Sequence, residues 1–464
     1  MSFIGRTEER AALEKAYSAA GFGLFGIYGR RRIGKTTLLH EFCQGKRHIF
    51  LTAREVKLER NIEIFSKLLF QEAGIGYLGL GLSLNNLQNL ISYIGRCASS
   101  EKLIVVIDEF QYLSEAEPSF IENFRRGIAY ELANKNILLV ICGASFDAMQ
   151  ELFDGDALPD KRDTLCLMPF NYREAAELTP AYTAEEKLLV YGVTGGVPGY
   201  TVLFDTKKPA LTNISELFFA VQGHLYDEAK SLLRQDFRNV SLYNTLLEVI
   251  GQGAGRMNAI AKGSGYDTPV ISPAIKKLIA NGMVEKTLPI LNEDSKRDAE
   301  YVINDGLLKF YYRFVSGGIT EIEAGAGGHY FETAVRQGLS DHLGDVFEAA
   351  CRQYTLLRAA RGDFSEKLVR AGKWKSTDAK KRSEDIDVVA VNAENTAAVI
   401  GECRYRNASM EAELIDQCIE TGKRLDCRIL KYLMFSKNGY YPTSLRKYRN
   451  DERVELLTLK DLYI

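Results

Sequence analysis

Two short stretches carry residue types whose spacing suits chemistry on phosphates. The first, GRRRIGKTT at 29–37, fits G-x4-G-K-[ST] in full. It follows an apolar run, FGLFGIYG (22–29), and opens a helical pattern, TTLLHEFC (36–43). In that context the backbone N–H groups of Gly29, Arg30, Arg31, Arg32, Ile33 and Gly34, with the helix N-terminus, form an anion cradle. The glycines let the backbone wrap phosphates, Lys35 reaches the β- and γ-phosphates, and the Thr36 hydroxyl, followed by Thr37, ligates Mg2+. The second stretch, LIVVIDEFQYL (103–113), is an apolar strand that finishes on Asp108 and Glu109. Packing gives no reason to end a buried strand on two carboxylates. Beside a phosphate loop, Asp108 joins the magnesium shell and Glu109 polarises the attacking water. A carboxylate directly after the magnesium aspartate points to hydrolysis of a nucleoside triphosphate rather than binding alone.

A second set of charged residues lies near the C-terminus. EDIDVVAVN (384–392) puts Asp387 into an apolar strand, and AAVIGECRYR (397–406) resumes as a strand after a short turn. A period of two aims Glu402 and Arg404 at one face, with Cys403 opposite. Upstream, HLGDVFEAACRQYTLL (342–357) has a helical stripe of Leu343, Val346, Phe347, Ala350 and Tyr354, with Glu348 at its edge. Paired carboxylates followed by a cation are what a Mg2+-dependent hydrolytic site needs. A same-face ion pair of Glu402 with Arg404 at a strand end is the plainer reading of the same residues. EKLVRAGKWKSTDAKKR (366–382) is basic and holds the chain's single tryptophan, Trp374. It reads either as a strip that grips phosphates and stacks a base or as a solvated loop.

The elements that must position these residues follow from pattern. At 464 residues the chain exceeds one ordinary core, so two to four domains are expected. Buried-strand runs at 22–29, 48–53, 102–108, 136–145 and 164–170 predict a doubly wound parallel α/β domain. From 171 to 235 the pattern is helical and is broken by GVTGGVPGY (192–200). Three short helices and a hairpin are packed into 241–305. Ser272 and Pro273 read there as the N-cap and first residue of the third helix, and Ile275, Leu278 and Ile279 as its core side. GGITEIEAGAGGHY (317–330) reads as a linker.

With 46% hydrophobic and 26% charged residues, the composition is that of a soluble globular protein. A net charge of −2 gives no global attraction to nucleic acid, so any such surface must be local. Eight cysteines without a CxxC pair predict buried reduced thiols rather than a zinc or disulfide scaffold. The apolar runs LIVVI and ILLVI are too short to cross a bilayer, and MSFIGRTEER has no signal-peptide core. The expected compartment is the cytoplasm, with no membrane partner.

FIGRTEERAAL (3–13), GRRRIGKTTLL, VVIDEFQYL, ICGAS (141–145) and TGGVP (194–198) together resemble archaeal-type AAA+ ATPases related to the STAND signalling NTPases. The resemblance covers about the first 235 residues, and its five motifs fall in family order. It implies ATP and Mg2+ as cofactors, with Phe3, Ile4 and Arg6 beside the adenine. It further implies Ser145 as sensor 1 and Pro198 in a lid near the nucleotide. The family often has a Gly-Arg pair in the region of LPDKRDTLCLMPF (158–170). Arg162 is the nearest arginine but lacks the preceding glycine, so a surface role reads better. The three loop arginines point to solvent or a neighbouring domain more than to DNA.

The middle segment resembles the winged helix-turn-helix that these ATPases carry there, with Lys276, Lys277 and Asn281 outward and Lys296 and Arg297 at the wing tip. A domain that only packs on the ATPase as part of a nucleotide switch is the equal alternative. The terminal region resembles the PD-(D/E)XK nuclease-like domain of unknown function common in this family. That implies a metal site of Glu348, Asp387 and Glu402, with Arg404 where lysine is usual. Arginine stays charged and cannot shuttle a proton, which leaves cleavage open.

The expected organisation is therefore an ATPase core at 1–170, a helical lid at 171–235, a winged helix at 236–316 and a nuclease-like α/β domain at 320–464. The leading function is an ATP-hydrolysing switch that acts on DNA. The alternatives are an ATP-gated Mg2+-dependent nuclease and a non-cleaving regulatory or defence ATPase whose terminal domain binds a protein partner or another copy of itself.

Overall fold

The computed structural model describes residues 3–72, 86–144, 146–153, 162–291, 299–377 and 383–464. These fall into two compact units, 1–169 and 170–464. Ser145, Lys296 and Arg297 lie outside the described residues.

The first unit is built on five strands: β1 (Gly23–Tyr28), β2 (His48–Thr52), β3 (Leu103–Asp108), β4 (Ile137–Gly143) and β5 (Arg162–Cys166). Their order is β2-β3-β4-β1-β5, and every pair is parallel. All six residues of β3 and all seven of β4 are buried, which is why their sequences read as unbroken aliphatic runs. Each such side chain contributes about 1.5–3 kcal/mol by leaving water. Parallel strands share one direction, so β1, β3 and β4 deliver Tyr28, Asp108 and Gly143 to the same sheet edge, where sites of open α/β sheets form. The fifth strand lies at 162–166 rather than 164–170. Leu167 still donates its N–H to the Tyr28 carbonyl, but Met168 and Pro169 have left the ladder.

The second unit begins with helices whose starts are legible as capping boxes, Asn171 with Glu174 and Thr183 with Glu186. The GGVP loop ends the helix Ala184–Thr194 with Gly195 in the left-handed region at φ 62. A Cβ on Gly195 would lie 2.8 Å from the Gly306 nitrogen, so these glycines serve a backbone-to-backbone contact within this unit. Pro198 opens the short helix Pro198–Thr201.

Helices Val240–Gly251, Met257–Ser264 and Thr268–Ala280 follow, then an antiparallel hairpin of β6 (Val284–Thr287) and β7 (Glu300–Ile303). The third helix starts one turn before the predicted Ser272–Pro273 cap, with Asp267 at its N-cap and Pro269 in its first turn. The earlier start buries Ile271, which a start at Pro273 would leave outside the helix. The inward stripe is therefore Ile271, Ala274, Ile275 and Leu278, and Ile279, one position past it, is 37% exposed.

The predicted linker at 317–330 is helical instead, and Ile322 and Phe331 on either side of its glycines are buried. Its Gly327 is a packing residue, because a Cβ there would lie 1.9 Å from the Phe219 carbonyl oxygen. The long helix Leu339–Ala360 then leads to a second sheet. Its strands are β8 (Arg370–Thr377), β9 (Ser383–Val391), β10 (Ala397–Arg404), β11 (Arg428–Ser436) and β12 (Val454–Thr458), in sequential spatial order. β8, β9 and β10 form an antiparallel meander, and β11 and β12 run parallel to β10. Helices Ala412–Gly422 and Pro442–Tyr448 supply the crossovers.

Of the stretch 366–382, residues 378–382 lie outside the described residues, and β8 overturns the base-stacking reading of the rest. Trp374 is only 9% exposed and packs with Ile290, Ile386 and Val389, so its ring is not presented to a base.

Candidate functional sites

The phosphate loop runs from β1 into the helix Lys35–Cys43. Gly29, at φ 149, approaches the turn after β5 so closely that a Cβ would sit 2.6 Å from the Leu167 carbonyl oxygen. Gly34, at φ 95, is the residue before the helix. Arg6 braces the loop from outside. It is buried, and its guanidinium donates to the carbonyls of Ile33 at 3.0 Å and Met168 at 2.7 Å while pairing with Glu9 at 2.9 Å. Phe3 and Ile4 are half-buried nearby, with the Arg10 guanidinium over the Phe3 ring. Arg31 donates to the Tyr112 hydroxyl at 2.7 Å, joining the loop to the segment after β3.

Lys35 is buried, and its ammonium donates to the carbonyls of Gly29 at 2.7 Å and Arg30 at 3.0 Å. Burial lowers its pKa, and its neighbours Cys142, Glu109 and Asp108 oppose that shift. The lysine is thus held by neutral acceptors of its own loop. Thr36 donates its hydroxyl to Asp108 Oδ2 at 2.7 Å, and the other Asp108 oxygen accepts the Glu109 N–H at 2.9 Å. The two oxygen donors expected around Mg2+ therefore meet at the mouth of the loop. Their hard-oxygen character fits that ion, with Thr36 and Asp108 as the residues to hold it. Below them the buried Cys142 thiol is pushed far up, by burial first and then by Asp108.

Glu109 adopts the left-handed region at φ 56, uncommon for a residue with a side chain. Gln111, 7% exposed, donates its amide to Glu109 Oε2 at 2.5 Å and accepts the Ala144 N–H at 3.2 Å. Gln111 thereby ties the Glu109 carboxylate to the end of β4. Nothing in the sequence reading singled it out, although a polar residue two positions after a strand-end glutamate is a visible signal.

The second cluster forms where the β9–β10 ladder runs out. The last paired residues are Val388 and Gly401, and beyond them Asp387 turns its carboxylate to accept the Cys403 N–H at 3.1 Å. Glu348 comes from the long helix and lies 3.5 Å from Arg352, which also donates to the Asp387 carbonyl at 2.7 Å. Burial, then the charges of Asp387 and Asp385, push the Glu402 carboxyl up to about 8, while Lys373 pulls the other way. Glu348 is raised for the same leading reasons, burial and then Asp387.

The cations among these acids are Lys373 of β8, which touches Asp387 and Asp385, and Arg352, which pairs with Glu348, not Arg404. The Lys373 ammonium lies 2.9 Å from Asp387, 3.0 Å from Asp385 and 3.8 Å from Glu348. Among the described residues Arg404 forms no ion pair, so the expected Glu402–Arg404 pair is absent. Nor do any three His, Cys, Asp or Glu side chains among them stand ready to hold a metal ion. The metal implied for Glu348, Asp387 and Glu402 thus does not fit the cluster as folded. Asp385 could have been found from sequence, since a period of two puts it on the same face as Asp387.

Residues 3–204 match the model of an ATPase domain predominantly from Archaea, and residues 311–415 match a family of archaeal and bacterial proteins of unknown function. An uncharacterized protein of Methanocaldococcus jannaschii is 25% identical over 408 residues, 87% of this chain and 88% of that protein. A short uncharacterized ATP-binding protein of the same organism is 40% identical over 45 residues, 10% of this chain and 76% of its own length. In fold, the chain is similar to a Walker-type ATPase of Pyrococcus abyssi, with a TM-score of 0.52 and 19% identity over 67% of this chain and 96% of that one. Residues 3–204 are thus similar to an ATPase domain of the predominantly archaeal family, and residues 311–415 to archaeal and bacterial proteins of unknown function.

Proposed function

We propose that this chain is an ATP-hydrolysing switch of the AAA+/STAND-like kind, in which nucleotide turnover controls a second unit that acts on DNA. The observation that carries the reading is the meeting of Thr36, Asp108 and Glu109 at the end of one buried strand, beside a lysine held only by loop carbonyls. Bound Mg2+ supplies neutralisation of phosphate charge. The chain's own residues do the rest. Lys35 exchanges its carbonyl partners for phosphate oxygens, the loop N–H groups orient them, and Glu109 orients the attacking water. Ser145 as sensor 1, Pro198 at the lid and Phe3, Ile4 and Arg6 at the adenine belong to the same proposal.

For DNA, the segment of three helices and a hairpin supports a winged-helix reading. Arg256, Lys262, Lys276, Lys277 and Asn281 are exposed there, although Lys277 lies over the Phe237 ring. The sequential five-stranded sheet preceded by a long helix supports a nuclease-like C-terminal fold. Free cysteines throughout, and no helix among the described residues long and apolar enough to cross a membrane, suit the cytoplasm.

A second reading, a non-cleaving regulator whose terminal region binds a protein partner or another copy, is favoured by the absence of a metal-ready acid group among the described residues. One experiment separates these readings: Mg2+-dependent ATP turnover, plasmid nicking and gel shifts, for wild type and Lys35→Ala. The proposal expects turnover that Lys35→Ala abolishes, with DNA binding that weakens as salt rises. Turnover retained in Lys35→Ala would overturn the ATP site. No gel shift at low salt would remove DNA, and nicking by wild type would restore the nuclease alternative.

A further inference from the structure

The acidic cluster of the second unit draws five side chains from four elements. Glu348 comes from the long helix, Lys373 from β8, Asp385 and Asp387 from β9 and Glu402 from β10. Local backbone geometry explains how a β8 residue reaches it. Gly372 pairs with Val389 and Trp374 pairs with Ile386, so the single residue Lys373 faces two, Asp387 and Val388. That is a β-bulge on β9, a device that re-aims side chains next to sites. It sets the Lys373 ammonium against Asp387 Oδ1 at 2.9 Å and Asp385 at 3.0 Å, with Glu348 at 3.8 Å. Trp374, buried on the other side of β8, anchors the strand in the core. The Lys373 carbonyl accepts the Ile290 N–H at 3.0 Å, which pins the bulge from the outer edge. The ammonium therefore stands where carboxylates from the long helix and β9 converge, close enough to Glu402 of β10 for the two charges to interact.

We propose that Lys373 is the built-in cation of this cluster: it closes a latent divalent-metal site, and removing its charge opens one held by Asp387, Asp385 and Glu348, the carboxylates it now touches. The inference deepens the non-cleaving reading of the second unit, and it stands whether or not the first unit hydrolyses ATP. The ordinary contest between an ammonium and a metal ion decides it. Three carboxylates around a small hard cation suit Mg2+, Mn2+ or a lanthanide, but a tethered lysine competes at no entropic cost of capture. Without the lysine the same carboxylates repel one another, and an added cation or a bound proton relieves them.

The chain has one tryptophan, and it adjoins Lys373, so terbium(III) bound here is sensitised by light that only tryptophan absorbs. Nucleotide-free protein is titrated with terbium(III), and Mn2+ is used to compete it away. Wild type should give no emission that depends on Asp387, as judged against Asp387→Asn. Lys373→Met should gain about tenfold in emission, reversed by adding Asp387→Asn, since a carboxylate ligand is required. If wild type binds terbium(III) in an Asp387-dependent way, the lysine yields to metal and the inference is wrong. If Lys373→Met is folded but gains nothing, Lys373 does not stand in a metal's place, and the inference fails as well. Should Lys373→Met not fold, Lys373→Gln serves the same comparison, and the wild-type arm decides independently. ATP turnover, measured on the same samples, reports the first unit separately.

Discussion

Both units place carboxylates at the end of a buried strand beside a lysine, but the lysine is used differently. In the first, Lys35 rests on the carbonyls of Gly29 and Arg30, while Asp108 is engaged by a hydroxyl and a backbone N–H. Among the described residues no protein cation pairs directly with the Asp108 carboxylate, which leaves its charge for the proposed Mg2+ and Lys35 for the proposed phosphate. In the second, Lys373 sits directly on Asp387 and Asp385. A phosphate-binding lysine must be parked on neutral groups that let it go, because a lysine already neutralised by carboxylates has little to offer an anion. The same residue types thus build an open site in one sheet and a closed one in the other.

The largest effect that would break this comparison is at the open site. Asp108→Asn keeps the Thr36 hydrogen bond but loses the charge, and ATP turnover should fall by roughly 10²–10³-fold. Metal-dependent tightening of nucleotide binding should disappear with it. An unchanged Mg2+ titration of nucleotide affinity would show that Asp108 is not the metal's residue.

Next comes Glu402→Gln at the closed site. The folded pKa of Glu402, about 8, lies above the usual carboxylate value of 4.5. Its stabilising effect is complete below pH 4.5 and is lost as pH rises through about 8. Gln does not titrate, so the variant should match wild type at pH 4.5. It should exceed wild type above pH 8 by on the order of 2 kcal/mol, a figure reduced because water still reaches the carboxylate. Thermal melts at the two pH values check this, and equal melting temperatures at high pH would contradict it.

Gln111→Ala tests how Glu109 is held. If Gln111 acts through Glu109, kcat should drop by about tenfold, or 1.4 kcal/mol, while KM for ATP stays unchanged. A rise in KM with constant kcat would instead make Gln111 a structural support of the loop. Smallest is Arg404→Ala: with no ion pair to lose among the described residues, it should change stability by less than about 0.5 kcal/mol. A larger loss in melts would return Arg404 to the cluster.

Much of the first unit was legible because its chemistry is local in sequence. The phosphate loop needs Gly29, Gly34, Lys35 and Thr36 within eight positions, and Asp108 and Glu109 stand at the end of a strand whose aliphatic run announces burial. The second cluster depends on a bulge and on β8, neither of which has a sequence signature. KWK reads as exposed charge until Trp374 is seen to face the core, and only then does Lys373 turn toward Asp387. Arg404 drew attention because it stands two residues after Glu402, yet spacing along one strand does not decide which strand supplies the cation. The misplaced start of the third helix at 268–280 has a similar origin, since Thr-Pro and Ser-Pro are equally good openings until the burial of Ile271 selects the first. The glycine-rich run at 317–330 reads as a linker because glycine permits bending, whereas here Gly327 serves a close approach to the Phe219 carbonyl.

The central claim is that the first unit hydrolyses ATP through the carboxylate held at the end of β3, and Glu109→Gln in a single-turnover assay tests it most directly. The account predicts a variant that binds Mg2+-ATP as tightly as wild type and cleaves it at least about 100-fold more slowly. A variant that binds normally and turns ATP over at the wild-type rate would contradict it.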